Sequence, residues 1–486
     1  MRINARRSLA IDAAVVVPSA SIRLPRTGYT DATVHPESTH DEPATLGERT
    51  VRKVSRRLVP FLLLLYTLAY LDRVNVGYAS LEMTKELHFS NQVYGFGAGI
   101  FFLGYWLLEI PGAVLVERWS ARKWISRIML TWGVAAAATG LVNTAGEFYT
   151  ARFLLGVAEA GFFPGVAVYF THWFPAQERA KAFAGLLIGS AIAQIIGAPL
   201  SAALLHIDWL GWSGWRWLLI LEGAPAVIAG VWVIFYLPDR PKDAKWLTTE
   251  ERDWLTTTLE SEKQALAAKA KGSMWKLILR PEVFLLTAVW FLSTSVTNAF
   301  GLWLPKIVQG MSGFGTIVTV LVAAVPYLLA LPFSLVIGRT SDRTGERRWH
   351  AAGCMFLSAA GFALSQATGS LAIGLLGLTL AAMGSNARQA PFWSFASSLM
   401  TGTSSAVVIA TISSFGQLGS FFVPYIVGFL TDRTGTLAAG TYYFTGSMFL
   451  AGCLMMLLKP GGLVVKTETE RPLTTPPLSP TAQRAT

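Results

Sequence analysis

Long blocks of apolar residues recur along most of the chain, and they constrain its fold more than any other feature. Three examples are 58–71, 131–142 and 217–237. A helix needs about 20 predominantly apolar residues to cross a bilayer, and a water-soluble core cannot bury so many blocks of that length. The 14% of charged residues also falls below the roughly one quarter that is usual in soluble domains. The pattern therefore predicts an all-α membrane protein.

The apolar blocks predict about twelve membrane-spanning helices, interrupted after the sixth by the charged linker 238–282. We expect these spans at 58–79, 92–115, 123–142, 147–170, 180–205, 217–237, 283–306, 314–338, 349–367, 371–400, 405–430 and 438–458. Two similar six-helix halves, 58–237 and 283–459, should then pack around a central cavity. The polar tails 1–57 and 460–486 are expected to be disordered.

Basic residues cluster in the connections on one side of the predicted spans. They are Arg52, Lys53, Arg56, Arg57, Arg118, Arg122, Lys123, Arg179, Lys181, Arg339, Arg343, Arg347 and Arg348. Lys and Arg accumulate in the cytoplasmic loops of membrane proteins. Both termini and the linker should therefore face the cytoplasm, in a multi-pass protein of the cell inner membrane. This placement also accounts for the net charge of +11, which is consequently no evidence for nucleic-acid binding.

Neither a metal site nor a cofactor is expected. The two cysteines, Cys354 and Cys453, lie in separate apolar spans. Neither a disulfide nor a thiolate metal site is therefore expected. Gly-x-Gly patterns inside the spans follow no strand and do not indicate nucleotide binding. The sequence therefore predicts a protein that is not an enzyme.

A few ionisable residues lie inside the predicted spans, where each costs about 2.5–3.5 kcal/mol on insertion scales and normally faces a cavity or a partner. Asp72 and Arg73, followed by the polar but uncharged Asn75, belong to the first span, and Arg152 and Glu159 belong to the fourth. Arg152 and Glu159 are two helical turns apart and share one stripe of their helix. These charges form either a relay for protons and anions or structural ion pairs between helices, and we favour the relay.

Two weaker features receive structural interpretations. Glu109, beside Pro111, is interpreted as a helix-packing residue near the cytoplasmic end of the second span. Gly95, Gly97 and Gly99 are interpreted as close contacts between helices, because small residues let helix backbones approach.

One motif occurs three times in the chain. It reads GRTSDRTGERR at 338–348, in degenerate form with Glu117 in place of the usual Asp at 112–123, and as an echo at 428–435. It resembles the signature loop of the major facilitator superfamily. The resemblance implies a cytoplasmic latch in which acid, arginine and helix dipole hold the inner ends of helices together and then release them. The implied gating residues are Glu117, Arg118, Arg122, Asp342, Arg343, Arg347, Asp432 and Arg433.

Further motifs narrow the resemblance to the anion–cation symporter family, near its tartrate, phthalate and nicotinate-type permeases. They are YLDRVN at 70–75, Arg152 with Glu159, FFPG at 162–165, WFP at 173–175, GWRW at 214–217 and YLPDRP at 236–241. The resemblance covers about residues 50–460. It implies the major facilitator fold, with about twelve transmembrane helices in two six-helix halves around a central cavity.

The resemblance also implies roles for the matching residues. Asp72 and Glu159 stand where sugar-acid and vesicular relatives have their protonating carboxylates. Arg73 and Arg152 would couple proton occupancy to the carboxylate of the substrate. Tyr105 stands where a relative has a tyrosine that faces the substrate.

The second half departs from the pattern of the resembled family. Gln417, within FGQLG, stands where relatives typically have Asn, and Arg388, within NARQAPFW, stands where most relatives lack a cation. Arg388 is near the middle of its predicted span, and Asn386, Gln389 and Pro391 indicate a broken, cavity-lining segment there. We interpret Arg388 as a second cationic pole opposite the arginines of the first half. The alternative is that the span boundaries differ and Arg388 pairs with another residue near the outer mouth. The candidate substrate-binding residues are Arg73, Asn75, Tyr105, Arg152, Arg388, Trp393 and Gln417.

These features predict a symporter that takes up a small organic carboxylate, such as a dicarboxylate or a sugar acid, together with protons by alternating access. It is expected to act as a monomer whose partners are the substrate anion, protons and the lipid bilayer, with no nucleic acid. One alternative is an organic anion exchanger or exporter on the same fold. Another is a membrane protein that senses carboxylates and moves little of them.

Overall fold

The computed structural model describes residues 45–118, 120–269, 279–399 and 404–459, and helices make up nearly all of these ranges. The helices of the first half are α1 (Leu46–Glu86), α2 (Asn91–Arg118), α3 (Ala121–Thr139), α4 (Ala145–Glu159), α5 (Phe162–Thr171), α6 (Ala176–Leu205) and α7 (Gly214–Tyr236). A short 3₁₀ turn (Pro241–Asp243) and α8 (Thr249–Lys269) follow. The helices of the second half are α9 (Pro281–Ser312), α10 (Thr316–Thr344), α11 (Arg347–Ala367), α12 (Leu371–Ala387), α13 (Gln389–Ser398), α14 (Ser404–Thr434) and α15 (Ala438–Leu457).

These helices form twelve membrane crossings in two six-helix halves, because α4 with α5, and α12 with α13, each make one interrupted crossing. In the described part of the chain, eight crossings are both long and apolar enough to span a membrane by length and composition. The other four, α2, α3, α11 and α15, contain 28, 19, 21 and 20 residues. All four have at least the roughly 17 residues that a membrane-spanning helix needs. The predicted fold class is confirmed.

The first helix starts earlier than the sequence predicted. Residues 46–57 are helical. The expectation that this part of the tail 1–57 is disordered was therefore wrong. Thr45 begins this helix with a capping box, in which its hydroxyl accepts from the backbone N–H of Glu48 and the Glu48 carboxylate accepts from the N–H of Thr45. Lys53, within the extension, pairs with Glu251 of α8 at 2.8 Å. The expected tails 1–44 and 460–486 lie outside the described residues.

The fourth crossing of each half is broken at a charged residue. α4 ends at Glu159, and Gly161 follows with a φ of +86°, a left-handed conformation that glycine adopts without strain. α12 ends at Ala387, and Arg388 separates it from α13. The break beside Arg388 agrees with the polar and proline-containing sequence around it, whereas the break beside Glu159 was not predicted. Both breaks place an ionisable side chain where the helix is interrupted.

The two halves meet closely at the end of the bundle where α2 begins. A Cβ atom added to Gly95 would lie 2.3 Å from the carbonyl oxygen of Pro424, and one added to Gly99 would lie 2.4 Å from that of Phe421. Only glycine permits such an approach of the α14 backbone. The interpretation of these glycines as close helix contacts is confirmed, and at Gly97 the neighbour is the ring of Phe148 in the same half.

Asp432, near the end of α14, caps the start of α2 in the opposite half. Its Oδ2 accepts from the backbone N–H of Gln92 at 2.8 Å, and its Oδ1 accepts from the backbone N–H and the side-chain amide of Asn91 at 3.1 and 3.0 Å. A carboxylate in this position satisfies N–H groups that the helix leaves free and complements the helix dipole.

The position of Asp432 and Arg433 contradicts their implied place in a cytoplasmic latch. Successive crossings run in opposite directions. The copies of the motif at 112–123 and 338–348 follow even-numbered crossings, whereas the copy at 428–435 follows the eleventh. This third copy therefore lies at the other end of the bundle, where it joins the two halves.

Candidate functional site

A cavity of about 230 Å³ lies between the two halves. Its polar and charged wall is formed by Tyr66, Tyr70, Arg73, Tyr105, Glu109, Glu159 and Gln194 of the first half and by Thr294, Thr297, Asn298, Tyr327, Asn386, Arg388, Gln389, Ser413 and Gln417 of the second. Each half therefore contributes one arginine to the wall, and the first half also contributes both glutamates, Glu109 and Glu159. Such a wall suits a small, charged and hydrogen-bonding solute better than an apolar one.

Arg73 and Glu159 form an ion pair in the wall of the cavity. Nε of Arg73 donates to Oε1 of Glu159 at 2.7 Å, and Nη2 lies 2.5 Å from the same oxygen. The guanidinium also lies 5.0 Å from the ring centroid of Tyr105. Oε2 of Glu159 is buried and accepts no hydrogen bond from any described residue. The pair thus offers a cation for an incoming anion and a carboxylate oxygen that can take up a proton.

Asp72 does not pair with its neighbour Arg73 and is not part of the cavity wall. It is buried and accepts hydrogen bonds from Nε1 of Trp132 at 2.5 Å and from the amide of Asn75 at 2.9 Å. Adjacent residues on a helix point about 100° apart, which is why Asp72 and Arg73 face different surroundings. Asn75, a predicted substrate ligand, instead holds Asp72 in place.

Arg152 also lies behind the wall, although the resemblance implied a substrate ligand. Its side chain is only 1% exposed, and its guanidinium lies 5.0 Å from the ring centroid of Phe101. Arg73 of α1 thus pairs with Glu159 of α4 at the cavity, whereas Arg152 and Asp72 both lie behind the wall.

Arg388 occupies the wall of the second half without a carboxylate partner among the described residues. Its Nη2 donates to the hydroxyls of Thr297 at 2.9 Å and Thr294 at 3.3 Å, and its guanidinium lies 4.9 Å from the ring centroid of Trp290. Nε and Nη1 are buried, and no described residue accepts a hydrogen bond from either. Contacts with hydroxyl groups and an aromatic ring compensate only poorly for the free-energy cost of removing this charge from water. This guanidinium is therefore suited to receive an anion.

The other residues predicted in the second half lie at different distances from the cavity. Gln417 lines it, and its buried Oε1 accepts no hydrogen bond within the described ranges. Trp393 does not belong to the wall and packs on Trp290, with 4.5 Å between the ring centroids. Of these two tryptophans, Trp290 is the one that lines the cavity.

Several residues that line the cavity were not predicted from the sequence. Glu109 lines the cavity and has a buried Oε2 without a partner among the described residues, so its interpretation as a packing residue was wrong. Thr294, Thr297 and Asn298 recur at the i, i+3, i+4 spacing of one helix face. That spacing of polar residues in an apolar span was the available signal for a cavity-lining stripe.

The latch residues at the other end of the bundle make contacts within their own halves. Nε of Arg122 lies 3.7 Å from Asp239, and Nη1 of Arg347 donates to the carbonyl oxygen of Ser394 at 2.8 Å. Asp342 and Arg343 are exposed at the end of α10. The side chains of Glu117 and Arg118 lie outside the part of the chain that is described.

The hydrogen bonds between the halves, as far as the described residues form them, cluster at the end that carries Asp432. Besides the cap on α2, Tyr94 donates to the carbonyl oxygen of Leu302 at 2.8 Å, and Nζ of Lys306 donates to Oδ1 of Asn91 at 3.3 Å. The bundle is therefore closed at this end, between the cavity and the α1–α2 connection.

Comparison with known proteins agrees with this architecture. The pattern of the family described as Major Facilitator Superfamily matches residues 62–424. A protein of Agrobacterium vitis, provisionally named a tartrate transporter, is 41% identical over 85% of this chain and 95% of its own length. A quinolone resistance transporter of Acinetobacter baumannii is 36% identical over 81% of this chain and 91% of its own length. The inward-open structure of the xylose transporter XylE from E. coli has a TM-score of 0.65 at 16% identity, over 86% of this chain and 98% of that structure.

Proposed function

We propose that this chain, which belongs to the major facilitator superfamily and is a membrane transporter rather than an enzyme, takes up a small dicarboxylate or sugar acid together with protons. The single observation that carries the proposal is Arg388, a buried guanidinium in the cavity wall that lacks a carboxylate partner among the described residues. The name of the Agrobacterium vitis relative, a tartrate transporter, supports the same class of substrate.

Two cationic poles favour a substrate with two polar ends. Arg73 belongs to the first half and Arg388 to the second, and both line the cavity. The planar guanidinium can donate two hydrogen bonds to one carboxylate, a geometry that a lysine ammonium cannot reproduce. One carboxylate of the substrate binds Arg73, and a second carboxylate or a hydroxyl-rich end binds Arg388. Thr294, Thr297 and Gln417 then supply hydrogen bonds to hydroxyl groups.

The ion pair of Arg73 with Glu159 couples substrate to proton. A substrate carboxylate competes with Glu159 for the guanidinium of Arg73. Once displaced, a buried Glu159 without its partner is stable only when it is protonated. Binding of the anion therefore draws one proton into the cavity, and release of the anion on the other side lets Arg73 re-form the pair and expel that proton.

Alternating access follows from the closed end of the bundle. The basic connections favour a cytoplasmic location for the end opposite Asp432, in a multi-pass protein of the inner membrane. The described conformation then has its outer end closed. Opening toward the outside requires the cap of Asp432 on α2 to break, while the latch residues Arg122, Asp342 and Arg347 approach the opposite half. The mechanism needs one copy of the chain.

The two arginines of the first half should respond differently to conservative replacement. Arg73→Lys is expected to weaken substrate binding at least about tenfold, because it removes the two-point contact that the cavity offers. Arg152→Lys should leave substrate affinity near that of the wild type and lower thermal stability, since Arg152 lies behind the wall. Titration of the purified variants measures both quantities. Equal weakening of binding in the two variants would contradict these assigned positions.

Closure at the Asp432 end depends on the glycines of α2. Gly99→Val should reduce transport by more than about tenfold, because its side chain would collide with the α14 backbone in the closed state. Substrate binding to the purified variant should persist. Gly446→Val is the matched control, since a Cβ at Gly446 meets nothing within 4 Å. Normal uptake by Gly99→Val would show that this end does not need to close.

An imposed pH gradient in proteoliposomes tests the proposal against its rivals. Labelled tartrate should accumulate when the compartment outside is the more acidic one, without any anion inside. An exchanger requires internal anion, and a carboxylate sensor binds tartrate without flux. Export is the rival with a specific observation behind it, the name of the Acinetobacter baumannii relative. An exporter would give a different result with a quinolone in place of tartrate. The quinolone would leave the compartment that faces the cytoplasmic side of the protein as protons enter that same compartment.

A further inference from the structure

A second cavity, of about 500 Å³, lies away from the transport site, where α8 packs over the ends of α5 and α6. Four cationic side chains line it, together with one carboxylate. The cations are Arg179, Arg240, Lys242 and Lys263, and the carboxylate is Glu260. A concave surface lined by one sign of charge concentrates ions of the opposite sign.

Two carboxylates beside the cavity, Glu262 and Asp239, already have partners, while Glu260 in the wall itself forms no salt bridge within the described ranges. Glu262 of α8 accepts from the backbone N–H of Ala176 at 3.1 Å and from Nη2 of Arg179 at 3.0 Å, which fastens α8 to the start of α6. Asp239 accepts from the backbone N–H of Arg122 at 3.0 Å and from a serine hydroxyl. Within the described ranges, no salt bridge joins Arg240, Lys242 or Lys263 to any carboxylate.

His172 adds a neutral hydrogen-bonding group to the same cavity. It follows the last residue of α5, and its Nδ1 is buried without a partner among the described residues. Burial and the positive charges of Arg240 and Lys263 lower the pKa of His172 to about 4. The ring is therefore neutral at physiological pH and can still donate one hydrogen bond.

We propose that this cavity binds a phosphate-bearing anion, either a soluble phosphorylated molecule or the headgroup of an anionic lipid. Three unpaired cations from two separate segments converge here, and phosphate offers several charged oxygens to them at once, which a single carboxylate does not. The volume is within the range of small-ligand sites. The bound anion joins α8 to the 240–242 connection and to the end of the fourth crossing, so it stabilises the linker against the first half. This role is separate from that of the transport cavity.

The test uses the full-length protein in phosphate-free buffer, in nanodiscs of phosphatidylcholine. Inorganic pyrophosphate is the soluble probe, and nanodiscs that contain phosphatidylglycerol are the lipid probe. The variant is Lys242→Gln with Lys263→Gln, and the matched control is Lys181→Gln with Lys245→Gln, which removes the same charge from exposed positions outside the cavity.

If the natural ligand is a soluble phosphorylated molecule, pyrophosphate should bind the wild type and the control with equal affinity. It should bind the cavity variant at least about tenfold more weakly. A lipid headgroup predicts that phosphatidylglycerol raises the unfolding temperature of the wild type and the control but not of the cavity variant, with no effect of pyrophosphate. In either case the effect should survive Arg388→Gln, which excludes the transport cavity. Equal responses of the cavity variant and its control, to both probes, would overturn the proposal.

Discussion

Arg388→Ala should weaken binding of a dicarboxylate at least about thirtyfold and should change binding of a monocarboxylate much less. Truncation of one partner in a buried, hydrogen-bonded charge pair costs about 2–5 kcal/mol, and only the longer substrate reaches both arginines. The measurement is titration of the purified transporter with tartrate and with a monocarboxylate such as nicotinate. Arg388 has no carboxylate partner among the described residues, so its loss leaves no described protein anion unpaired.

The control for this prediction is Arg339→Ala, which removes an exposed arginine from α10 of the same half. Arg388→Lys adds a second test, because it retains the positive charge without the planar fork and should bind dicarboxylate with intermediate affinity. Equal losses for both substrates, or no loss for either, would remove the hypothesis of two cationic poles. In that case Arg388 has a purely structural role with Thr294, Thr297 and Trp290.

Glu159→Gln should abolish accumulation driven by a pH gradient, a loss of about a hundredfold or more, while counterflow exchange of substrate continues. Glutamine retains the shape of the side chain but carries no proton through the cycle. It also competes poorly for Arg73, so substrate affinity should become independent of pH in the variant, whereas in the wild type affinity should rise as the pH falls. Uptake and counterflow in proteoliposomes, with binding measured across pH, give all three results.

Glu250→Gln, an exposed position on α8, is the control for Glu159→Gln and should behave as the wild type. Asp72→Asn is a more discriminating comparison, because Asp72 lies behind the wall and is held by Trp132 and Asn75. We expect that variant to lose stability and part of its transport, yet to retain pH-dependent binding. Gradient-driven accumulation that is unimpaired by Glu159→Gln would contradict the coupling mechanism.

Much of the fold could be predicted from the chain because membrane crossings depend on local composition. The apolar blocks and the charged linker indicated the crossings without any knowledge of contacts. The start of α1 was missed, since residues 46–57 are polar and their helix rests on a capping box and on the contact with α8. The break at Gly161 was missed as well, because a single left-handed glycine has no signature in an apolar span.

The candidate site was only partly predictable, because the pairing of charges is decided between helices. Sequence spacing grouped Asp72 with Arg73 and Arg152 with Glu159, whereas the folded chain pairs Arg73 of α1 with Glu159 of α4. Arg388 was identifiable as a lone cation in mid-span, but its contacts with Thr294 and Thr297 come from α9. The end of the bundle at which Asp432 lies follows from counting crossings, since this copy of the motif follows the eleventh crossing and the other two copies follow even-numbered ones.

Substrate-dependent proton movement is the most direct measurement of the proposed coupling. Proteoliposomes with a trapped pH indicator, equal pH on both sides and a short-circuited membrane potential receive tartrate from outside. Coupled uptake predicts that the interior acidifies as tartrate enters, and that Glu159→Gln vesicles show neither signal. Entry of tartrate without any internal acidification in the wild type would contradict proton-coupled transport by this chain.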